Sequence, residues 1–131
     1  MCWFVLDANI WITCFYNGQV SYINELVKEF GITIYRSPVL TDELERVLNY
    51  KKFAKKIVLS KKLYMKMYFR ATHNVETIPI FTDCPDPKDN YLFDLAIQAQ
   101  ADFLVSDDDV LNTSVSPPLQ IISFTQFRNL F

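Results

Sequence analysis

The chain opens with the sequence CWFVLD (residues 2–7), an apolar run that ends in an acid. A continuous apolar run of this length is typical of a strand buried on both faces, as in a parallel sheet. An unpaired carboxylate at the end of a buried strand is costly. In an open α/β sheet, ligands bind outside the carboxyl ends of the strands. Asp7 is therefore a candidate functional residue.

The rest of the chain alternates between extended and helical patterns. Further strands are predicted at residues 32–35, 103–106 and 119–123, with a weaker extended segment at 75–81. Helical segments are predicted at residues 10–17, 22–30, 38–48, 51–73, 86–100, 108–112 and 125–130. This alternation predicts an α/β fold with a central parallel sheet of about four or five strands flanked by helices. The length predicts one domain, residues 1–131.

The composition excludes several classes of protein. With only two glycines, the chain has neither a dinucleotide-binding nor a Walker A loop. The single histidine, His73, is predicted at a helix end on the surface, without a catalytic partner. No apolar run approaches the ~20 residues that span a bilayer. Three widely spaced cysteines indicate reduced thiols, so we expect a cytoplasmic protein.

The charges are strongly segregated along the sequence. Residues 51–70 contain eight of the 13 basic residues and no acid, whereas residues 83–109 contain eight acids. This separation favours binding of a polyanion through phosphate contacts. A docking surface and a solvated helix face are the alternatives. The residues predicted to contact nucleic acid are Lys51, Lys52, Lys55, Lys62, Lys66 and Arg70.

Four acids lie at predicted ends or starts of elements: Asp7, Glu43, Asp89 and Asp108. Glu43 begins ELERVL (43–48), and Asp89 belongs to DPKDN (86–90). Asp108 follows the predicted strand at 103–106. A fold that gathers these carboxylates at one sheet edge forms a hard-cation site, which predicts metal-dependent phosphodiester chemistry.

In this order and spacing, the four motifs resemble a PIN domain, and the resemblance covers nearly the whole chain. The likeness is strongest to compact, VapC-like toxins of toxin–antitoxin pairs. It implies a Mg²⁺- or Mn²⁺-dependent ribonuclease in which Asp7, Glu43, Asp89 and Asp108 are the catalytic metal ligands. Asn9 and Ser106 match supporting positions, and Asp86, a predicted helix cap, is a further supporting residue.

The resemblance also implies a homodimer that is inhibited by a small antitoxin protein and acts on RNA. One departure affects the last acid. The family usually has a small residue, often glycine, where this chain has Asp107. The metal ligand could therefore be Asp107, Asp108 or Asp109.

Other interpretations remain open for the same residues. Glu43 alone is explained as well by an ion pair with Arg46 on a solvated face, and Asp86 and Asp89 by helix capping. A haloacid-dehalogenase-like phosphatase would also begin with an acid after its first strand, but it should carry a second aspartate where this chain has Asn9. A PIN-like module that binds RNA or protein without catalysis is the alternative from a different class.

Overall fold

A five-stranded parallel sheet organises the computed structural model, which describes residues 2–50, 60–109, 111 and 120–131. The strands are β1 (Trp3–Leu6), β2 (Thr33–Arg36), β3 (His73–Asn74), β4 (Phe103–Val105) and β5 (Gln120–Ile122). Their order across the sheet is β3-β2-β1-β4-β5, and every neighbouring pair is parallel. The predicted α/β class and the parallel sheet are confirmed.

Six helices flank this sheet within the described residues. They are α1 (Ala8–Tyr16), α2 (Val20–Phe30), α3 (Pro38–Leu48), α4 (Lys61–Ala71), α5 (Asn90–Gln98) and α6 (Phe124–Arg128). A short 3₁₀ helix, Pro87–Asp89, leads into α5. The Ser37 hydroxyl caps α3 by accepting a hydrogen bond from the Leu40 N–H at 3.3 Å, with Pro38 in the first turn. Gly31 ends α2 with φ of 62°, a left-handed conformation that glycine adopts without strain.

The core is centred on β1, whose residues Phe4, Val5 and Leu6 are fully buried. Phe4 stacks on Phe103 of β4 at 5.5 Å and meets the edge of Phe127 of α6 at 5.0 Å. Burying one such side chain contributes roughly 1.5–3 kcal/mol. The apolar run that opens the chain is therefore the central strand, covered on both faces.

The third strand differs from its prediction. The structure places β3 at His73–Asn74, so α4 ends at Ala71 and His73 is an exposed strand residue. Residues 75–81 form no strand: the Val75 N–H still bonds to Arg36 O of β2, but N–H groups further along bond to side chains of α5. Ile80 and Phe81 donate to Asp94 Oδ1 at 3.0 and 2.8 Å. The part of the predicted helix at 51–59 lies outside the described residues.

The strand order places a topological switch point between β1 and β4, because β2 and β3 lie on one side of β1 and the later strands β4 and β5 lie on the other. The Asp7 N–H donates to Val105 O at 2.9 Å, which joins the ends of these strands. Crevices of this kind are where open α/β sheets bind ligands. None of the described helices is both long and apolar enough to cross a membrane.

Candidate metal centre

Asp7 is positioned by the end of β1 and the start of α1. The residue is only 7% exposed. One carboxylate oxygen, Oδ1, accepts a hydrogen bond from the Asn9 N–H at 3.4 Å, and Oδ2 accepts one from the Ser106 hydroxyl at 2.9 Å. Asn9 thus contacts Asp7 through its backbone N–H. The buried carboxylate is fixed in orientation.

Ser106 links Asp7 to the last acidic motif. Its hydroxyl is fully buried, donates to Asp7 and accepts from the Asp108 N–H at 3.1 Å. The Asp107 carboxylate lies elsewhere, because its Oδ1 accepts from the Phe124 N–H at the start of α6 at 2.9 Å. This capping contact favours Asp108 over Asp107 as the site residue.

A cleft of about 330 Å³ opens beside Asp7, and three of the four predicted acids line it: Asp7, Glu43 and Asp89. They come from the end of β1, from α3 and from the 3₁₀ helix before α5. The predicted supporting residues Asn9 and Asp86 line the same cleft. Asp86 also caps its 3₁₀ helix by accepting from the Lys88 N–H at 3.0 Å.

The acids of this site share one electrostatic environment. Burial raises the pKa of Asp7, and the charge of Asp108 raises it further, against the hydrogen bonds from Ser106 and Asn9. Burial also raises the pKa of Asp89. The charges of four other acids act on Asp89 in the same direction: Asp7, Asp86, Asp108 and Glu43. Asp108 therefore belongs to the cluster, although it does not line the cleft.

Two neighbouring groups lie under the same negative potential. Burial, followed by the charges of Asp7, Glu43 and Asp89, raises the pKa of Tyr91, which lines the cleft. Burial raises the pKa of the nearby Cys84 thiol to about 11, with smaller contributions from Asp89 and other acids. A thiol with this pKa is protonated at neutral pH in the metal-free protein, which makes Cys84 a weak nucleophile.

Glu43 is engaged in an ion pair on the exposed face of α3. Arg46 donates to both of its oxygens, from Nη2 to Oε1 at 2.6 Å and from Nε to Oε2 at 3.3 Å. The Arg46 side chain is 57% exposed and that of Glu43 is 34% exposed. This is the pair that the alternative interpretation of Glu43 expected.

The donor chemistry of the cleft fits a divalent cation, although the carboxylates are not gathered into a finished shell. Among the described residues, no three His, Cys, Asp or Glu side chains form a group that holds a metal ion. Mg²⁺ typically uses one or two carboxylates and retains several waters. Burial and, after it, the charges of neighbouring acids raise the pKa of Asp89, and a bound cation would relieve the repulsion among these carboxylates.

The predicted nucleic-acid contacts lie apart from the acids. Lys62, Lys66 and Arg70 are exposed on α4 and line a second cavity together with Glu45 of α3. Glu43 and Glu45 are two positions apart on α3, so the two openings flank this helix from different sides. The remaining predicted contacts, Lys51, Lys52 and Lys55, lie outside the described residues.

Three polar residues of the cleft were missed by sequence reasoning as site residues: Arg46, Lys88 and Tyr91. Arg46 follows Glu43 by three positions, a spacing that allows contact on a helix. Lys88 lies inside DPKDN, between two predicted site acids. Tyr91 follows Asp89 by two positions, and no signal in the sequence marked it.

Comparisons with known proteins identify the family and the fold of this chain. The family model described as PIN domain matches residues 4–109. A similar solved structure is a chain in the crystal structure of VapBC2 from Rickettsia felis bound to a DNA fragment from their promoter. It superposes with a TM-score of 0.64 at 17% sequence identity, over 92% of this chain and 98% of that chain. The search of curated proteins gave no significant match. By the extent of the family match, this chain belongs to the PIN domain family.

Proposed function

We propose that this PIN domain is a Mg²⁺- or Mn²⁺-dependent endoribonuclease, with Asp7, Glu43, Asp89 and Asp108 as its metal ligands. The observation that carries the proposal is the convergence of Asp7, Glu43 and Asp89 on one cleft at the switch point of the sheet. Asp108 acts electrostatically on Asp7 and Asp89. Carboxylate oxygens are the donors that Mg²⁺ and Mn²⁺ prefer.

In this proposal, each supporting residue fixes a ligand. The Ser106 hydroxyl holds Asp7 and the Asp108 backbone, while the Asn9 N–H holds the other Asp7 oxygen. Asp86 fixes the turn that carries Asp89. A bound metal would supply an activated water and stabilise the negative charge that builds on the phosphate. No histidine is needed for that chemistry.

RNA would reach the cleft along positively charged surfaces. Arg46 and Lys88 lie in the cleft itself. Lys62, Lys66 and Arg70 extend the positive surface on the other side of α3, and we assign Lys51, Lys52 and Lys55 to the same role. Phosphate contacts of this kind make binding dependent on salt concentration.

A toxin role in a type II toxin–antitoxin pair, in the cytoplasm and as a homodimer, completes the proposal. Its support is the likeness in fold to a chain from the VapBC2 structure. The test is co-expression with the product of the neighbouring reading frame. We expect that small protein to bind this chain and suppress RNA cleavage, whereas full cleavage in its presence would contradict the pairing.

The nuclease proposal is tested by incubating purified protein with a mixed pool of single-stranded and structured RNA. EDTA, Mg²⁺ and Mn²⁺ are compared for the wild type and for Asp7→Asn. We expect cleavage only with metal and only by the wild type. A metal contribution of several kcal/mol to the transition state corresponds to about a 10³-fold loss in the variant. Cleavage that persists undiminished in Asp7→Asn would refute the assignment.

A non-catalytic RNA-binding module is the second candidate, and the Glu43–Arg46 pair is the observation that favours it. If that pair were permanent, the cleft would lack one ligand. RNA binding without cleavage under any metal would then be observed. The phosphatase alternative loses its support, because the family match over residues 4–109 is to PIN domains.

A further inference from the structure

Arg46 lines the cleft and is bonded to Glu43, one of the proposed metal ligands. Its guanidinium contacts both oxygens of Glu43, and the same cleft is lined by Asp7, Asp86 and Asp89. Arg46 Nη1 also donates to the Tyr50 hydroxyl, and its guanidinium lies 5.7 Å from the centre of the Tyr50 ring. One cation of the protein is therefore already bound to a proposed metal ligand.

A metal and this guanidinium compete for the same carboxylate. A divalent ion that draws on Glu43 would displace some of the Arg46 hydrogen bonds and repel the guanidinium at short range. Arg46 is exposed and on a long side chain, so it can leave Glu43 without disturbing the core. A planar guanidinium in such a position matches the paired oxygens of a phosphate group.

We propose that Arg46 exchanges partners: it binds Glu43 in the metal-free protein and a phosphate of the RNA backbone when metal and RNA enter the cleft. This inference rests on the proposed function and adds a substrate-binding residue to it. The exchange makes tight RNA binding conditional on metal. It also keeps Glu43 neutralised while the cleft holds no ion.

The first test measures Mn²⁺ binding by calorimetry for the wild type and for Arg46→Gln. Arg128→Gln is the matched control, because Arg128 is another exposed arginine. It lies at the end of α6, close to Tyr22 and Phe124 and outside the residues that line the cleft. We expect Arg46→Gln to bind Mn²⁺ about threefold more tightly, since a competing cation is removed. Arg128→Gln should match the wild type.

The second test measures binding of a phosphorothioate RNA oligonucleotide by fluorescence anisotropy. With Mn²⁺, Arg46→Gln should lower RNA affinity about tenfold and reduce the salt slope by ~0.7, the value for one phosphate contact on a single strand. In EDTA its affinity should equal that of the wild type, because Arg46 is then held by Glu43. Arg46→Lys keeps the charge but lacks the planar guanidinium that bonds to two phosphate oxygens. Its RNA affinity with Mn²⁺ should lie between those of the wild type and Arg46→Gln.

Three results would overturn the exchange. Weaker Mn²⁺ binding by Arg46→Gln would make Arg46 a positioning residue for Glu43. An equal loss of RNA affinity with and without Mn²⁺ would show that Arg46 contacts RNA without changing partners. If wild type and Asp7→Asn bound Mn²⁺ equally, the proposed metal site itself would fail, and the exchange would fail with it.

Discussion

The cleft has two unlike walls. The strand wall is Asp7 with the groups that hold it: its buried carboxylate accepts hydrogen bonds from the Ser106 hydroxyl after β4 and from the Asn9 N–H of α1. Ser106 also binds the Asp108 backbone, and neither of these two residues lines the cleft. The helix wall consists of Glu43 and Arg46 on α3, where both side chains reach solvent and pair with each other. Both walls carry proposed ligands, but only the strand wall holds its carboxylate in a fixed orientation.

The difference comes from the elements that carry the residues. A parallel sheet fixes the ends of adjacent strands relative to each other, and the Asp7 N–H to Val105 O bond does so here. A helix surface fixes only the backbone and leaves long side chains free to change partners. A site built from both therefore combines a preorganised ligand with an adjustable one. The contrast should therefore appear in the stability of the protein.

Metal binding should have the largest effect on stability, because the ion would contact ligands from both walls. At a Mn²⁺ concentration 100 times the dissociation constant, linkage predicts about 2.7 kcal/mol of stabilisation. Thermal melting with Mn²⁺ and with EDTA measures it. Asp7→Asn should remove the shift, whereas Glu43→Gln should retain part of it. Identical melting curves with and without Mn²⁺ would contradict a metal site in this cleft.

Ser106→Ala, which removes the hydroxyl that holds Asp7, should have the second largest effect on stability. Ser106→Ala leaves the buried Asp7 Oδ2 and the Asp108 N–H without their shared partner, which should cost about 1–3 kcal/mol in the free energy of unfolding. Mn²⁺ affinity should fall about 10–100-fold, as for other residues that orient ligands.

Urea denaturation and calorimetry measure the two effects of Ser106→Ala. Ser123→Ala is the control, since it removes a helix cap worth about 1 kcal/mol without touching Asp7. Only Ser106→Ala should change Mn²⁺ affinity. A loss of the same size in Ser123→Ala would mean that general destabilisation, and not ligand orientation, is responsible.

The effect of pH on protein stability through Asp7 should be smaller. Burial raises the pKa of folded Asp7, so its contribution to stability is complete below the unfolded pKa and is lost as the pH rises through the folded pKa. Without metal, Asp7→Asn should therefore gain stability over wild type between pH 4 and pH 7, by a few degrees in melting temperature.

Melting curves across that range, with Asp42→Asn as the control, measure the pH effect. Asp42 is an exposed acid of α3 that does not line the cleft. Its variant should follow the wild type at every pH. A constant difference between Asp7→Asn and wild type across the range would show that the Asp7 charge is not the cause.

The smallest effect is expected on the helix wall. Glu43→Gln breaks an exposed i,i+3 ion pair screened by solvent, which should change the free energy of unfolding far less than Ser106→Ala does. Denaturation in EDTA measures this value. A cost as large as that of Ser106→Ala would erase the contrast between the two walls.

The sequence predicted the parts of this molecule that buried apolar patterns encode. β1, β2, β4 and β5 follow from such patterns, and the matched family motifs identified Asp7, Glu43 and Asp89, which the structure brings to one cleft. β3 was misplaced because its two residues, His73 and Asn74, are polar and exposed and carry no periodic signal.

The remaining features depend on side-chain partners. The sequence of residues 75–81 predicts an extended segment, but the Ile80 and Phe81 N–H groups donate to the Asp94 carboxylate instead of to a neighbouring strand. The role of Asp107 as a cap of α6 depends on a contact with Phe124 far along the chain. The Glu43–Arg46 spacing was visible in the sequence, but its geometry in the cleft was not.

The two hydrogen bonds on Asp7 also bear on which ion the site would accept. The Ser106 hydroxyl bonds to Oδ2 and the Asn9 N–H to Oδ1, so both oxygens keep a lone pair for an ion while the plane of the carboxylate is set. Calcium accepts carboxylates through one or both oxygens in a flexible shell of six to eight ligands, whereas magnesium requires near-ideal octahedral geometry. By fixing the plane of the Asp7 carboxylate, a buried serine would suit an ion with strict geometry.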